Sequence, residues 1–238
     1  MTAILEAQGL AKTYRGEDGA EIPVLSALDF AVARGEFVAI TGASGVGKST
    51  LLHCLGALDT PSAGTVRIDG VDLASLDAAG RSALRNRRVG FVFQFHHLLR
   101  EFTALENVMM PLLIAGRPEA EAATRATAAL EGLGLSHRLA HRPAKLSGGE
   151  QQRVAVARAV VIEPAVVLAD EPSGNLDAHN AERLHDLFAT LGRQYGTAVV
   201  TVTHNPALAA RADRVLTLVD GRLADATLAV SPPRPLAG

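Results

Sequence analysis

The chain has 238 residues, 48% of them hydrophobic and 20% charged, with 23 Lys and Arg against 25 Asp and Glu and a net charge of -2. A chain of this length buries a full core without disulfides or a structural metal, and so even a charge balance argues against nucleic acid or an anionic membrane surface as the partner. A single cysteine, Cys54, excludes an internal disulfide and reads as core filler in an apolar helical stretch.

The N-terminal MTAILEAQGL lacks the basic-then-apolar order of a signal peptide. No stretch approaches the ~18–20 apolar residues of a membrane span, so any membrane connection is expected to run through a partner. The first forty residues read as antiparallel β, with turns near Gly16–Gly19 and Arg34–Gly35. Strand-length runs follow at Glu36–Thr41, Val89–Phe93, Ala165–Ala169, Thr197–Thr203 and Val215–Val219. Helical stretches separate most of them, as a parallel sheet requires.

From about Leu98 to Glu150 the pattern is mostly helical. Thr103 with Glu106 three residues on is a capping box. Pro118 stands where a first helical residue would, and Gly132 or Gly134 ends that helix. The expected fold is therefore α/β: a parallel core sheet, an antiparallel β N-terminal subdomain and a helical subdomain inserted at about residues 98–150. Residues 1–230 form one domain in this reading, and the terminal SPPRPLAG, residues 231–238, a disordered tail.

Three segments carry chemistry. Gly42-Ala43-Ser44-Gly45-Val46-Gly47-Lys48-Ser49 matches G-x-x-x-x-G-K-[ST], with a strand (EFVAIT) before it and a helical stretch (STLLHCLGAL) after it. Its backbone N–H groups form an anion nest, and the helix N-terminus adds partial positive charge. Lys48 brings a full cation for β- and γ-phosphates, and Ser49, with Thr50 as a second hydroxyl, can reach Mg²⁺. The alternative is a glycine-rich turn with a surface lysine.

Further on, Val166-Val-Leu-Ala-Asp170-Glu171 is an apolar strand ending in two carboxylates. Alternation along a strand points them differently: Asp170 suits a magnesium ligand, partly through water, and Glu171 suits orienting or deprotonating a water. The alternative is a strand end opening into a charged loop. The third segment, Leu146-Ser147-Gly148-Gly149-Glu150-Gln151, reads first as a capped helix start with Ser147 as N-cap. A glycine-rich helix start is also an anion site, and one chain needs only one phosphate loop, so this second site makes sense facing the γ-phosphate held by another subunit.

In the order GASGVGKS, Gln94, LSGGEQ, VVLADE, SGNLD, His204, the chain resembles the ATP-binding cassette family from about Leu5 to Leu223. The resemblance implies an ATPase with ATP and Mg²⁺, acting as a head-to-tail homodimer with two ATP molecules at the interface. It implies that Ser147, Gly148 and Gly149 face the opposite nucleotide, that Tyr14 stacks on adenine and that Gln94 senses Mg²⁺ and water. Asp177 would be the D-loop aspartate as well as an N-cap, and His204 the histidine that contacts the γ-phosphate. Asn205 stands where the family usually has Asp.

Within the family, the segment after Gln94, FHHLLREFTALENVMMPLLI, is similar to the ATPases of lipoprotein-releasing systems of Gram-negative bacteria. That likeness implies two polytopic membrane subunits of the LolC/LolE type, contacted near Gln94–Glu106, and a peripheral place on the cytoplasmic side of the inner membrane. Arg100 stands where proline is usual and Ser173 where threonine is commoner, and neither is expected to touch the chemistry. Macrolide-exporter ATPases share much of the pattern but are fused to a membrane domain. Chromosome-structure ATPases need long coiled-coil insertions, whereas roughly a hundred residues without heptads separate Gly47 from Leu146. Two-cassette translation factors need a second set of motifs. A non-hydrolysing regulator would not need Gln94, Glu171 and His204. The remaining histidines read as surface or packing residues.

Overall fold

In the computed structural model, residues 3–225 are described, apart from the side chains of residues 193–195; the expected tail at 231–238 lies outside them. Strands β1 (Ala3–Arg15) and β2 (Glu21–Ala33) form a long antiparallel pair, and β3 (Phe37–Thr41) leads through the phosphate loop into helix α1 (Lys48–Leu55). A short hairpin, β4 (Ala63–Ile68) and β5 (Val71–Asp72), comes next, then α2 (Ala78–Arg88) and β6 (Val89–Phe93). Helices α3 (Ala104–Ile114), α4 (Glu119–Gly132) and α5 (Gly148–Val160) follow. The chain closes with β7 (Val166–Asp170), α6 (Ala178–Tyr195), β8 (Ala198–Val202), α7 (Pro206–Ala209), β9 (Arg214–Val219) and β10 (Arg222–Asp225).

Two sheets result. The first, in the order β2-β1-β4-β5, is antiparallel throughout; the second, in the order β10-β9-β3-β8-β7-β6, is parallel except for the β9–β10 hairpin. Strands β3, β7 and β8 are buried on both faces, which is why they read as unbroken apolar, β-branched runs rather than alternating ones. The main core joins both sheets through α1, whose buried face is Leu51, Leu52, Cys54 and Leu55. Burial pushes the Cys54 thiol up to about 11, the behaviour of an inert core residue.

The helical lobe has its own core, with Val108, Leu112, Ala126 and Leu130 packed against Val154, Ala157 and Val161. Helix α5 is two-sided. Those last three positions face the lobe at helical spacing, while Val156 and Ala159 face Val92, Val167 and Phe188 of the sheet layer. The lobe therefore extends about ten residues beyond the expected limit at Glu150. Pro118 is the N-cap of α4 rather than its first residue, and the helix ends at Gly132, with Gly134 taking the left-handed conformation (φ 71°) two residues on. Hairpin β4–β5 and helix α2 had no counterpart in the sequence reading; α2 has no buried residue, so it carries no apolar stripe to signal it.

Candidate nucleotide site

The register of the parallel sheet builds the site. Phe93 of β6 pairs with Asp170 of β7, Asp170 with Val202 of β8, and Val202 with Ile40 of β3. The next residues along these four neighbouring strands are Gln94, Glu171, Thr203 and Thr41, so the four carboxyl ends lie in one row. Ligands of open α/β sheets bind along such an edge.

At the β3 end the loop from Gly42 to Gly47 turns into α1. Gly47 is the N-cap at φ 105°, where a side chain would strike Val24 at 2.6 Å, so glycine is required twice over. The Lys48 ammonium donates to the carbonyls of Gly42 (2.9 Å) and Ala43 (2.8 Å), which anchors the cation inside the loop. Ser44, Gly45 and Ser49 are exposed, and Val46 is half-buried. Tyr14 projects from β1, 39% exposed, and its hydroxyl donates to Asp59 Oδ2 at 2.8 Å. Lys12 lies 4.7 Å from the ring centroid and 2.6 Å from Asp59 Oδ1. Tyr14 is thereby tied to Asp59, in the segment that follows α1.

At the centre, Glu171 is held in the left-handed region, φ 43°. A non-glycine residue there costs about 1–3 kcal/mol and persists only when its surroundings over-determine it. The surroundings do so: Glu171 N donates to the Val202 carbonyl (3.0 Å), its carbonyl accepts from Gly174 N (3.0 Å), and its Oε2 accepts from Thr203 Oγ1 and His204 N, both at 3.2 Å. His204 Nδ1 lies 2.9 Å from Glu171 Oε1; the histidine side chain is 73% exposed and the glutamate only 16%. Gln94 donates to Asn175 Oδ1 and its carbonyl accepts from Asn175 Nδ2, both at 3.2 Å. Asp170 is half-buried at the end of β7. The donors near the loop are hydroxyl, carboxylate and amide oxygens, which suit a hard cation, and no cluster of three His, Cys, Asp or Glu among the described residues forms a metal cage. Magnesium, which takes one or two carboxylates and completes its shell with substrate phosphates and water, fits that set.

The glycine-rich segment Ser147–Gly149 opens α5. Ser147 Oγ accepts from Glu150 N (3.3 Å) and Glu150 Oε2 accepts from Ser147 N (2.7 Å), a complete capping box. The Ser147 N–H holds the Glu150 carboxyl down at about 2 against the effect of burial, and Arg138, 2.7 Å away, adds to the shift. Gly149 is glycine by contact: a Cβ there would meet the Asn180 side chain at 2.5 Å. Asn180 is bound to Asp177, the exposed N-cap of α6, through Asn180 N (3.0 Å) and Nδ2 (2.6 Å). The starts of α5 and α6 therefore stand side by side.

Residues 25–174 match the family profile described as ABC transporter. The lipoprotein-releasing system ATP-binding protein LolD of Bordetella pertussis is 57% identical over 219 residues, 92% of this chain and 94% of its own length. This chain belongs to the ABC transporter family. The LolD proteins of Geobacter metallireducens and Pseudomonas fluorescens are 52% and 56% identical, covering 94% and 93% of this chain and 99% and 97% of their own. Among solved structures, a bacterial ABC transporter cassette, MJ0796, determined as a dimer, superposes with a TM-score of 0.85 at 39% identity, over 92% of this chain and 96% of that one. The same cassette in a post-hydrolysis state bound to ADP and Pi also gives 0.85, at 38% identity and with 93% and 98% coverage.

In this ABC transporter chain, the structure brings together Gln94, Asp170, Glu171, His204 and the phosphate loop on one sheet edge, and sets Ser147–Gly149 beside Asp177. Sequence reading missed the residues that hold them: Asn175 on Gln94, Thr203 on Glu171, Asp59 and Lys12 on Tyr14, and Arg138 on Glu150. Thr203 had a signal, being the residue between the β8 run and His204. Asn175 lies within SGNLD, though that motif does not show its pairing with Gln94, and the others are polar residues in no recognisable pattern.

Proposed function

We propose that this chain binds Mg-ATP and hydrolyses it as the ATP-binding subunit of a lipoprotein-releasing transporter. The observation that carries the proposal is the single row formed by Gln94, Glu171, Thr203–His204 and the phosphate loop. It offers a cation, a nest, a positioned carboxylate and a histidine to one triphosphate. Lys48 and the N–H groups of Gly42–Ser49 cradle the phosphates, and Tyr14 offers a face to adenine; base–aromatic stacking is worth about 1–3 kcal/mol. Ser49, Asp170 and Gln94 would hold Mg²⁺, which neutralises charge on the β- and γ-phosphate oxygens when bound, with Thr50 offering a second hydroxyl beside Ser49. Glu171 orients the attacking water and takes its proton, and His204 serves both Glu171 and the γ-phosphate.

Two copies would pack head to tail, with Ser147, Gly148, Gly149 and Asp177 of one facing the ATP of the other. The solved dimer of the related cassette supports the pairing of two copies. Among the described residues no helix is long and apolar enough to cross a membrane. A pair of LolC/LolE-type membrane subunits would therefore supply the bilayer path, with this chain peripheral on the cytoplasmic side. Their contact is the Gln94–Glu106 segment, where a cleft of about 520 Å³ is lined by Phe95, His97, Leu98, Arg100 and Pro143. Phe95 is 66% exposed there, which supports an apolar partner.

The test is Glu171→Gln. Glutamine keeps the size but cannot take a proton, so turnover should fall about 10²–10⁴-fold, while ATP still binds and a nucleotide-trapped dimer accumulates on size-exclusion chromatography. Adding Ser147→Arg should abolish that dimer. Undiminished turnover in Glu171→Gln would refute the assignment of the base. A tight-binding variant that stays monomeric, alone and with its membrane subunits, would refute the sandwich.

A further inference from the structure

The turn that starts at Glu171 is gripped from its buried side. Gln152 of α5, 1% exposed, donates from Nε2 to the carbonyls of Pro172 (2.8 Å) and Phe93 (3.2 Å). His185 of α6, also 1% exposed, has its Nε2 3.0 Å from the hydroxyl of Ser173, which is itself buried. The other ring nitrogen, Nδ1, is buried without a hydrogen-bond partner. Orphaned buried N–H groups are rarer than under-satisfied acceptors, so the proton belongs on Nε2, which donates to Ser173 Oγ. Burial lowers the His185 pKa; the charge of Arg211 adds to that and Glu182 opposes it.

Ser173 lies inside the turn that Gly174 N closes onto the Glu171 carbonyl, and Ser173 O in turn accepts from Leu176 N at 3.1 Å. A strained φ at Glu171 has to be imposed by its neighbours, and the side chain of Ser173 is fastened to helix α6 rather than to another loop. We propose that His185 is a positioning residue for Glu171: through Ser173 it fixes the turn that aims the carboxylate at the attacking water. The proposal rests on the ATPase reading above. It gives a role to a histidine that reads as packing and to a serine that reads as outside the chemistry. A misplacement on the order of 1 Å at a reacting group can cost about 10²-fold in rate, so a buried hydrogen bond two residues away is enough to matter.

Steady-state ATP hydrolysis and equilibrium ATP binding by the full-length chain decide it, using His185→Leu, His185→Gln, Ser173→Ala, the double variant His185→Leu/Ser173→Ala, and Glu171→Gln as reference. His185→Leu and Ser173→Ala should each lower kcat, by about 10-fold or more, with KM and ATP affinity unchanged. The double variant should be no worse than the poorer single one, and His185→Gln, whose amide nitrogen can replace Nε2, should recover most of the loss. Wild-type kcat in His185→Leu and Ser173→Ala, beside an inactive Glu171→Gln, overturns this inference and leaves the ATPase reading standing. Equal losses in the Leu and Gln variants, or losses that multiply in the double variant, also overturn it, because they report packing. Turnover retained by Glu171→Gln overturns both readings. If His185→Leu does not fold, the conservative Ser173→Ala decides alone.

Discussion

Glu171 shows how much of the site's chemistry is set by what surrounds a residue rather than by its type. Its left-handed backbone and its contacts with Thr203 and His204 orient the carboxylate before any substrate arrives, and a preorganised group needs little rearrangement in the transition state. Lys48 is prepared in the same way by the carbonyls of its own loop. Lys48→Ala should weaken ATP binding and lower turnover at least about 10²-fold, which titration with ATP and steady-state hydrolysis will measure. Glu150 makes a different prediction. Its carboxyl titrates at about 2 in the folded chain against an ordinary value of 4.5. A depressed folded pKa gives stability that is complete above the unfolded value and lost as pH falls toward the folded one. The stability advantage of the wild type over Glu150→Gln should therefore be constant from pH 7 to about 5 and shrink between about 4.5 and 2. Urea midpoints across that range test it, and an advantage that grows on acidification would contradict the assignment.

At the scale of elements, the segment between Gln94 and α3 has little regular structure but is firmly tied. Asn107, fully buried in α3, accepts from Leu99 N (2.8 Å) and donates to the carbonyls of Leu99, Phe102 and Thr103. Arg158 of α5 holds the carbonyls of His96 and His97 at 2.9 and 2.8 Å. Asn107→Leu keeps the volume but strands these backbone groups, and each buried unsatisfied group costs about 1–3 kcal/mol. We expect a loss of about 2–4 kcal/mol in urea unfolding, with the lobe losing amide-exchange protection before the sheet does. Helix α5 carries both lobes on opposite faces and begins at Ser147–Gly149, so movement of the lobe moves the glycine-rich segment with it.

At the scale of the whole molecule, the row of proposed catalytic groups and the cleft at Phe95–Arg100 adjoin: Gln94 ends the row, and the next residue, Phe95, lines the cleft. In the proposed transporter, closure over nucleotide and movement of a membrane partner would be linked at that junction. Arg100 is exposed and lines the cleft, away from the phosphate loop. Arg100→Glu should lower assembly with the membrane subunits, or the stimulation of ATPase activity by them, while leaving ATP affinity of the isolated chain unchanged. Co-purification and ATP titration give the two readouts, and reduced ATP affinity with normal assembly would refute the placement.

The phosphate loop, the carboxylate pair and the glycine-rich segment were legible in the sequence because each is local: a few adjacent residues set both the backbone shape and the chemistry. Strands β3, β7 and β8 were legible too, since burial on both faces leaves continuous apolar runs, and β6 and β9 were legible as short runs rich in β-branched residues. Caps at Thr103, Ser147 and Asp177 were legible because a cap is a contact between residues two or three apart. Strand order and register were decided only by the tertiary structure, and with them the row that brings Gln94, Glu171 and Thr203 together across separations of tens of residues. The two-sided role of α5, the exposed α2 and the short β4–β5 hairpin also depend on which surfaces meet. So do Asn175, Gln152 and His185, whose partners lie at distances in sequence that no local pattern encodes. Local sequence carries the chemistry of short segments; only packing decides which segments face one another.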